Sequence, residues 1–268
     1  MITLVGQKEI INTDGKTIRG AKQHGKKSPF HMESAWACEN NLVLGQIKVN
    51  EKSNEITTIP ELLEILSVEN SIITIGTIGR QKEIASKILE QKADYVLAVK
   101  ENQAQLYENI EDEFRFSNEI ETSRNVDCGH GRIETRKCSM ISNFKHIKNQ
   151  DKWKDFKTII RIESTREFKN SDKPKQNAVR YYTASLNAKA TEFQHIIRAH
   201  WSIENKLYCT LNVAFLEDQS RKRDENATQN FSVLNKIALN LLKNDKTTKV
   251  GIKGKRKKAC WITIISNI

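Results

Sequence analysis

Two acidic positions, far apart in the chain, stand where a carboxylate has something to do. The first is Asp14, in Asp14-Gly15-Lys16-Thr17 after the β-prone run Glu9 to Thr13. An Asp closing a strand, a Gly that lets the chain turn and a basic residue that balances charge together present a carboxylate at a sheet edge. Asp-Gly is also an ordinary turn, so the tetrapeptide alone leaves both readings open. The second is Glu204, in Arg198-Ala199-His200-Trp201-Ser202-Ile203-Glu204-Asn205. Phe193, Ile196, Ile197, Trp201, Leu207, Leu211 and Phe215 recur at helical intervals, which marks a helix with one inward face and assigns Trp201 to the core. Glu204 falls on or beside that stripe, with His200 and Tyr208 four residues away on the same face. A carboxylate on that stripe loses hydration unless a cation or donor meets it, so Glu204 is either a functional acid or a solvated or salt-bridged one. Cys128, His130 and Cys138 have metal-binding chemistry, but a fourth ligand at sensible spacing is missing, and His130 also reads as a loop histidine.

The elements that must position these groups can be read in order. A hairpin spans His31 to Ala37 and Leu42 to Val49 around Glu39-Asn40-Asn41. Pro60 opens a helix through Leu62, Leu63, Ile65 and Leu66. Ile72 to Ile75 is a buried strand broken by Gly76-Thr77-Ile78-Gly79. A helix over Gln81 to Gln91, a strand over Tyr95 to Lys100 and a helix from Gln103 to about Phe116 follow. This alternation argues for a mixed α/β sheet with right-handed crossovers. From Ser117 to Lys189 the pattern turns β-rich, with strand-like runs at Arg132 to Ile141, Lys157 to Ser164 and Ala178 to Leu186. After the Glu204 helix comes an amphipathic helix, Ala227 to Lys243, carrying Phe231, Leu234, Ile237, Ala238 and Leu241. The basic run Lys253 to Lys258 is a phosphate contact or a solvated end.

Composition bounds the partners. The 268 residues suffice for one large domain, and the formal charge of +11 favours a polyanion, nucleic acid before an anionic membrane surface. A basic loop with Lys22, Lys26 and Lys27 fits phosphate contact or solvation equally. Five cysteines without a C-x-x-C pair indicate neither a disulfide framework nor a zinc ribbon. No stretch approaches transmembrane length and the first residues lack a signal-peptide core, so a soluble intracellular protein without a membrane partner is expected.

Six motifs in order, Asp14 to Gly20, Val49 to Ile56, Tyr95 to Gln103, His130 to Arg136, His200 to Asn205 and Glu217 to Arg221, resemble those of DDE transposases of the insertion-sequence class, in the subfamily of H-repeat-associated, Rhs-linked proteins. The likeness runs through nearly the whole chain. It implies a ribonuclease H-like mixed sheet with flanking helices and a β-rich insertion before the last catalytic helix. The implied layout is a core in two parts, residues 1–116 and 190–245, an insertion over 117–189 and a basic tail over 246–268. It also implies three acids that hold two Mg²⁺ (or Mn²⁺) ions, which activate the attacking oxygen and stabilise the leaving one in phosphodiester chemistry. Asp14 matches the first acid and Glu204 the third. The implied partner is DNA, as element ends and target, with a homodimer on DNA; the implied location is the prokaryotic cytoplasm, at the nucleoid. Lys16, Arg19, Lys100, Arg132 and Arg136 stand as phosphate contacts or surface ion pairs, and Asn102 with Gln103 as helix caps or DNA-backbone contacts.

The chain departs from the pattern at several points. Gly76 occupies the position of the second acid and supplies no ligand. Asn212 stands where an Asp is usual, Tyr208-Cys209 replaces a His-Trp pair, the helical segment ahead of the first catalytic strand is absent, and the residues after Trp261 diverge. The expectation is a truncated transposase with the fold kept and cleavage weak or lost. The alternatives are a non-catalytic DNA-binding remnant that represses or competes with intact copies, and a metal-dependent nuclease unrelated to transposition.

Overall fold

A computed structural model describes residues 8–21, 30–49, 55–76, 81–129, 131–144, 147, 154–169, 172–222 and 224–265. The chain divides into two compact units, one formed by Ile11–Ser67 and Trp201–Ile268, the other by Leu4–Ile10 and Val68–His200.

In the first unit, β1 (Glu9–Ile18), β2 (Phe30–Ala37) and β3 (Leu42–Val49) form an antiparallel meander from Ile11 onward. The β2–β3 hairpin turns at Asn41, whose φ of 54° suits an Asn in the left-handed region. β1 runs five residues beyond its expected end, because Asp14, Gly15, Lys16, Thr17 and Ile18 pair in register with Ser34, Glu33, Met32, His31 and Phe30. α1 (Glu55–Ile65) packs on β2 and β3 and carries Pro60 inside rather than at its start. Ile18, Ala21, Phe30 and Met32 form a small buried cluster at one end of the meander.

After Trp201 the chain does not continue as a plain α-helix. Ile203–Tyr208 is a π-helical turn, α5 (Cys209–Phe215) follows, and Leu216 in the left-handed region (φ 56°) ends it. A single 3₁₀ turn, Glu217–Gln219, leads to α6 (Glu225–Asn244), whose Asp224 cap accepts from the Ala227 amide at 2.9 Å. α7 (Ile252–Ile265) takes in the basic run of the expected tail.

α6 reverses the expectation drawn from its hydropathy. It buries Thr228, Ser232, Asn235, Lys236 and Leu239, and exposes Leu234, Ile237 and Leu241. The cause is its seat on β3. The Asn240 side chain donates to the Val43 carbonyl and accepts from the Val43 amide, both at 2.9 Å, as a neighbouring strand would, and the Gln46 side chain donates through Nε2 to the Gln229 carbonyl at 3.3 Å. Unpaired strand-edge groups select a polar helix face.

In the second unit, β4 (Ser71–Ile75) and β5 (Asp94–Val99) are parallel, joined by α2 (Gln81–Glu90). α3 (Ala104–Phe116) leads to β6 (Glu121–Gly129), β7 (Arg132–Ile141), β8 (Thr158–Phe168) and β9 (Gln176–Ala184), then α4 (Ala190–His200). β9 pairs antiparallel with β5, so the strand order within this unit is β4-β5-β9-β8-β7-β6. The segment expected as a β-rich insertion pairs through β9 with β5 and so extends the sheet of β4 and β5. Val99, Ile110, Phe114, Ile141, Ile159 and Tyr181 pack together beneath it. β6 escapes hydropathy reading because nearly all its residues are exposed.

Candidate functional site

Asp14 lies in the middle of β1, not at a turn, and is half-buried. Strand alternation puts Asn12, Asp14 and Lys16 on one face. Tyr208 donates its hydroxyl to the Asp14 carbonyl, which ties the π turn to this strand. Burial raises the Tyr208 hydroxyl well above its ordinary pKa, and the carboxylates of Asp14 and Glu33 reinforce the shift, so it remains a protonated donor.

Glu204 occupies the same π turn. In α-helical phase it would point inward with His200 and Tyr208, but the Cys209 amide bonds to the Glu204 carbonyl, a ring one residue wider than an α turn. The extra residue lets Ile203, Leu207 and Tyr208 stay buried while Glu204, Asn205 and Lys206 turn outward. Glu204 is thus exposed, away from the inward stripe. Trp201, expected in the core, is 38 % exposed.

Lys16, expected as a phosphate contact, is buried in ion pairs with Glu217 (3.0 Å) and Asp218 (2.6 Å). Around them lies a polar network of residues distant in sequence. Asn212 donates to Asp218 at 3.0 Å, and Ser232 donates to Glu217 and to Gln46, each at 3.1 Å. Lys236 donates to Ser232 at 2.9 Å and also to Gln46. Burial lowers the Lys236 ammonium to about 8, with Glu217 opposing the shift. Gly20 completes the arrangement, since a Cβ there would lie 2.6 Å from the backbone oxygens of Asp218 and of Ser220. The Asp14–Gly20 and Glu217–Arg221 motifs therefore meet. Sequence reasoning assigned no role to Glu217, Asp218, Ser232 or Lys236; the one available signal was that the Glu217 motif accompanied the Asp14 motif at all.

In the second unit β4 closes on Gly76. Among the described residues, a Cβ at Gly76 would meet only the His200 Nε2, at 3.8 Å, an ordinary contact. His200 Nδ1 lies 2.9 Å from the Thr74 hydroxyl, and burial lowers the imidazole to about 4, so it is neutral near pH 7.

The expected basic contacts fall into two groups. Arg19 is exposed in the turn after β1, and Lys100 is exposed ahead of the 3₁₀ turn Glu101–Gln103; the Asn102 side chain lies outside the described residues. Arg132 and Arg136 are instead engaged on β7. Arg132 and Arg166 reach Glu134 at 2.9 and 2.8 Å, Arg136 pairs with Glu134 and lies 3.9 Å from Asp127, and Arg198 reaches Asp127 at 3.3 Å. Burial lowers the Arg136 pKa, as does the neighbouring Arg198.

Cys128 and Cys138 do not converge. Cys128 pairs with Ile133 near one end of the β6–β7 hairpin and Cys138 with Ser123 near the other, while His130 lies outside the described residues. Among the described residues no group of three or more His, Cys, Asp or Glu is placed to hold a metal ion. Asp14 and Glu204 are hard donors of the kind Mg²⁺ takes, but the residues described do not complete a two-ion site.

Comparison with known proteins matches this architecture. The chain is 46 % identical over 262 residues to the Escherichia coli O157:H7 protein named "Putative transposase YncI", covering 95 % of this chain and 67 % of that one. It is 38 % identical over 261 residues to the Escherichia coli K12 protein named "H repeat-associated putative transposase YhhI", covering 94 % and 68 %. The fold is similar to that of the piggyBac transposase seen in a synaptic complex with hairpin DNA, with a TM-score of 0.53 at 12 % identity, covering 93 % of this chain and 51 % of that one. The chain thus spans about two thirds of these Escherichia coli relatives and about half of the piggyBac chain. The model of the family described as "Transposase DDE domain" matches residues 6–241, and with these relatives it places the chain in that family.

Proposed function

We propose that this protein is the transposase of an insertion sequence that retains its fold and its grip on DNA but is impaired in strand cleavage and transfer. The observation that carries the impairment is the glycine closing β4, at the position where the family resemblance requires the second metal-binding acid. Asp14 on β1 and Glu204 on the π turn are then the remaining ligands, and the bound ions would supply Lewis-acid stabilisation of the transferring phosphate. Tyr208, through the Asp14 carbonyl, holds the strand and the Glu204 turn together. DNA binding is supported by the charge of +11 and by the family, with element ends and target DNA as partners. Arg19 and Lys100 are the better placed of the expected phosphate contacts, since both are exposed, whereas Lys16 is committed to Glu217 and Asp218.

The test is a Mn²⁺ titration by calorimetry on the unmodified protein, Gly76→Asp and Asp14→Ala, with a cleavage assay on DNA carrying the element ends. Weak binding by the unmodified protein, a gained site in Gly76→Asp and loss in Asp14→Ala are expected, with cleavage appearing only in Gly76→Asp. Identical titrations for all three folded proteins would remove the metal site from the reading and leave a non-catalytic DNA-binding protein.

A further inference from the structure

The basic run Lys253 to Lys258 is built into a helix of particular composition. From Asp245 to Ile265 the chain carries Lys246, Lys249, Lys253, Lys255, Arg256, Lys257 and Lys258 against a single acid, Asp245. That acid is consumed locally: it accepts from the Thr247 amide at 2.8 Å and the Thr247 hydroxyl at 2.6 Å, and Lys255 lies 3.8 Å away. Three of the cations are also occupied, Lys246 by donating to the Lys243 carbonyl at 3.4 Å. Lys255 donates to the Leu242 carbonyl at 3.1 Å and to the Asp245 carbonyl, and the Arg256 guanidinium sits 5.3 Å from the centre of the Phe215 ring. Lys246, Lys249, Lys253, Lys257 and Lys258 are exposed.

On α7, Lys253, Lys257 and Trp261 follow one another at i, i+4 spacing and so share a face, with Lys258 beside them. Trp261 is 66 % exposed. The apolar ring faces of an indole held out of a helix are exposed to water at a cost. Its flat π-face and the flanking ammonium groups match an unpaired nucleotide, whose base stacks while its phosphates pair with the lysines. Duplex DNA offers the phosphates but hides the base faces, so the ring favours single strands.

We propose that the exposed face of α7, made by Lys253, Lys257, Lys258 and Trp261, is a contact site for single-stranded DNA, with Trp261 stacking on an unpaired base. This rests on the DNA-binding reading above and adds a location and a strand preference to it.

The experiment is fluorescence titration of the full chain with oligothymidylate, with blunt duplex DNA and with anionic vesicles. It is run on the unmodified protein, Trp261→Phe, Trp261→Ala and the triple variant Lys253→Gln, Lys257→Gln, Lys258→Gln, each checked for folding by circular dichroism. The difference between the unmodified protein and Trp261→Phe isolates Trp261 from Trp36, Trp153 and Trp201. The expected result is quenching of the Trp261 signal by oligothymidylate. Trp261→Ala should weaken that binding about tenfold and leave duplex binding nearly unchanged. The triple variant should weaken both and reduce the slope of log affinity against log salt by about 2. If DNA binds but the Trp261 signal and all variant affinities stay unchanged, α7 is not the contact and the DNA-binding reading survives without it. Quenching by vesicles but not by DNA overturns the proposal in favour of a membrane surface. If no DNA binds to any of the proteins, the underlying reading fails as well.

Discussion

Lys16 shows how far a residue's neighbours decide its role. Its place in the Asp14 motif suggested a phosphate contact, yet its ammonium is spent on Glu217 and Asp218, with Glu217 only 2 % exposed. Replacing it should leave a buried carboxylate without its nearest cation. Lys16→Met is therefore expected to destabilise the protein by about 3 kcal/mol or more in urea denaturation, and Glu217→Gln in the same background should recover part of the loss. His200 gives a pH signature. Its pKa is about 4 when folded against an ordinary value of 6.5, so the unfolded chain binds the extra proton between those limits. Stability is complete above about pH 6.5 and falls as pH drops towards 4, by up to about 3 kcal/mol from this group. Denaturation curves from pH 7 to 4 should show the fall, and His200→Gln should flatten it. The sequence exposed the types of these residues but not their partners, because an ion pair spanning two hundred positions leaves no local periodicity.

At the level of elements, regular hydropathy was readable and its interruptions were not. The β2–β3 hairpin, β4, α2, β5 and α3 follow from their patterns, since in each case one burial environment persists along the segment. The π turn was hidden because a single added residue leaves the apolar spacing nearly intact while swinging Glu204 outward. α6 was read with the wrong face inward, because hydrogen bonding to the β3 backbone outweighs the apolar stripe. The helix supplies its own test. Leu241→Gln, which hydropathy would judge damaging, should change stability by less than about 0.5 kcal/mol, since the side chain is already exposed. Asn240→Leu, which hydropathy would judge an improvement, strips Val43 of both partners and should cost about 2 kcal/mol in thermal or chemical denaturation.

For the molecule as a whole, charge is the property most directly legible from the sequence, and it predicts two opposite salt responses. A chain at +11 repels itself, so added salt should raise the melting temperature in calorimetry. The same salt should weaken DNA binding steeply, as released counterions lose their entropic advantage. A protein whose DNA affinity ignored salt would not be using its lysines and arginines. The family was also legible, because ordered motifs along the chain survive even where individual residues have changed, and the matched region runs from residue 6 to 241. The grouping of residues into compact units was not, because the β-rich segment reads as an interruption in sequence although it continues a sheet in space.

The two glycines at motif positions differ in what they permit. At Gly20 a side chain would strike backbone oxygens at 2.6 Å, so any replacement disturbs the fold itself. At Gly76 a Cβ meets, among the described residues, a single imidazole nitrogen at 3.8 Å, an ordinary contact. Aspartate and glycine codons differ by one base, so exchange at position 76 is a short mutational step that folding does not police. On the proposed reading, a copy with glycine there still folds, and a single base change can restore the acid.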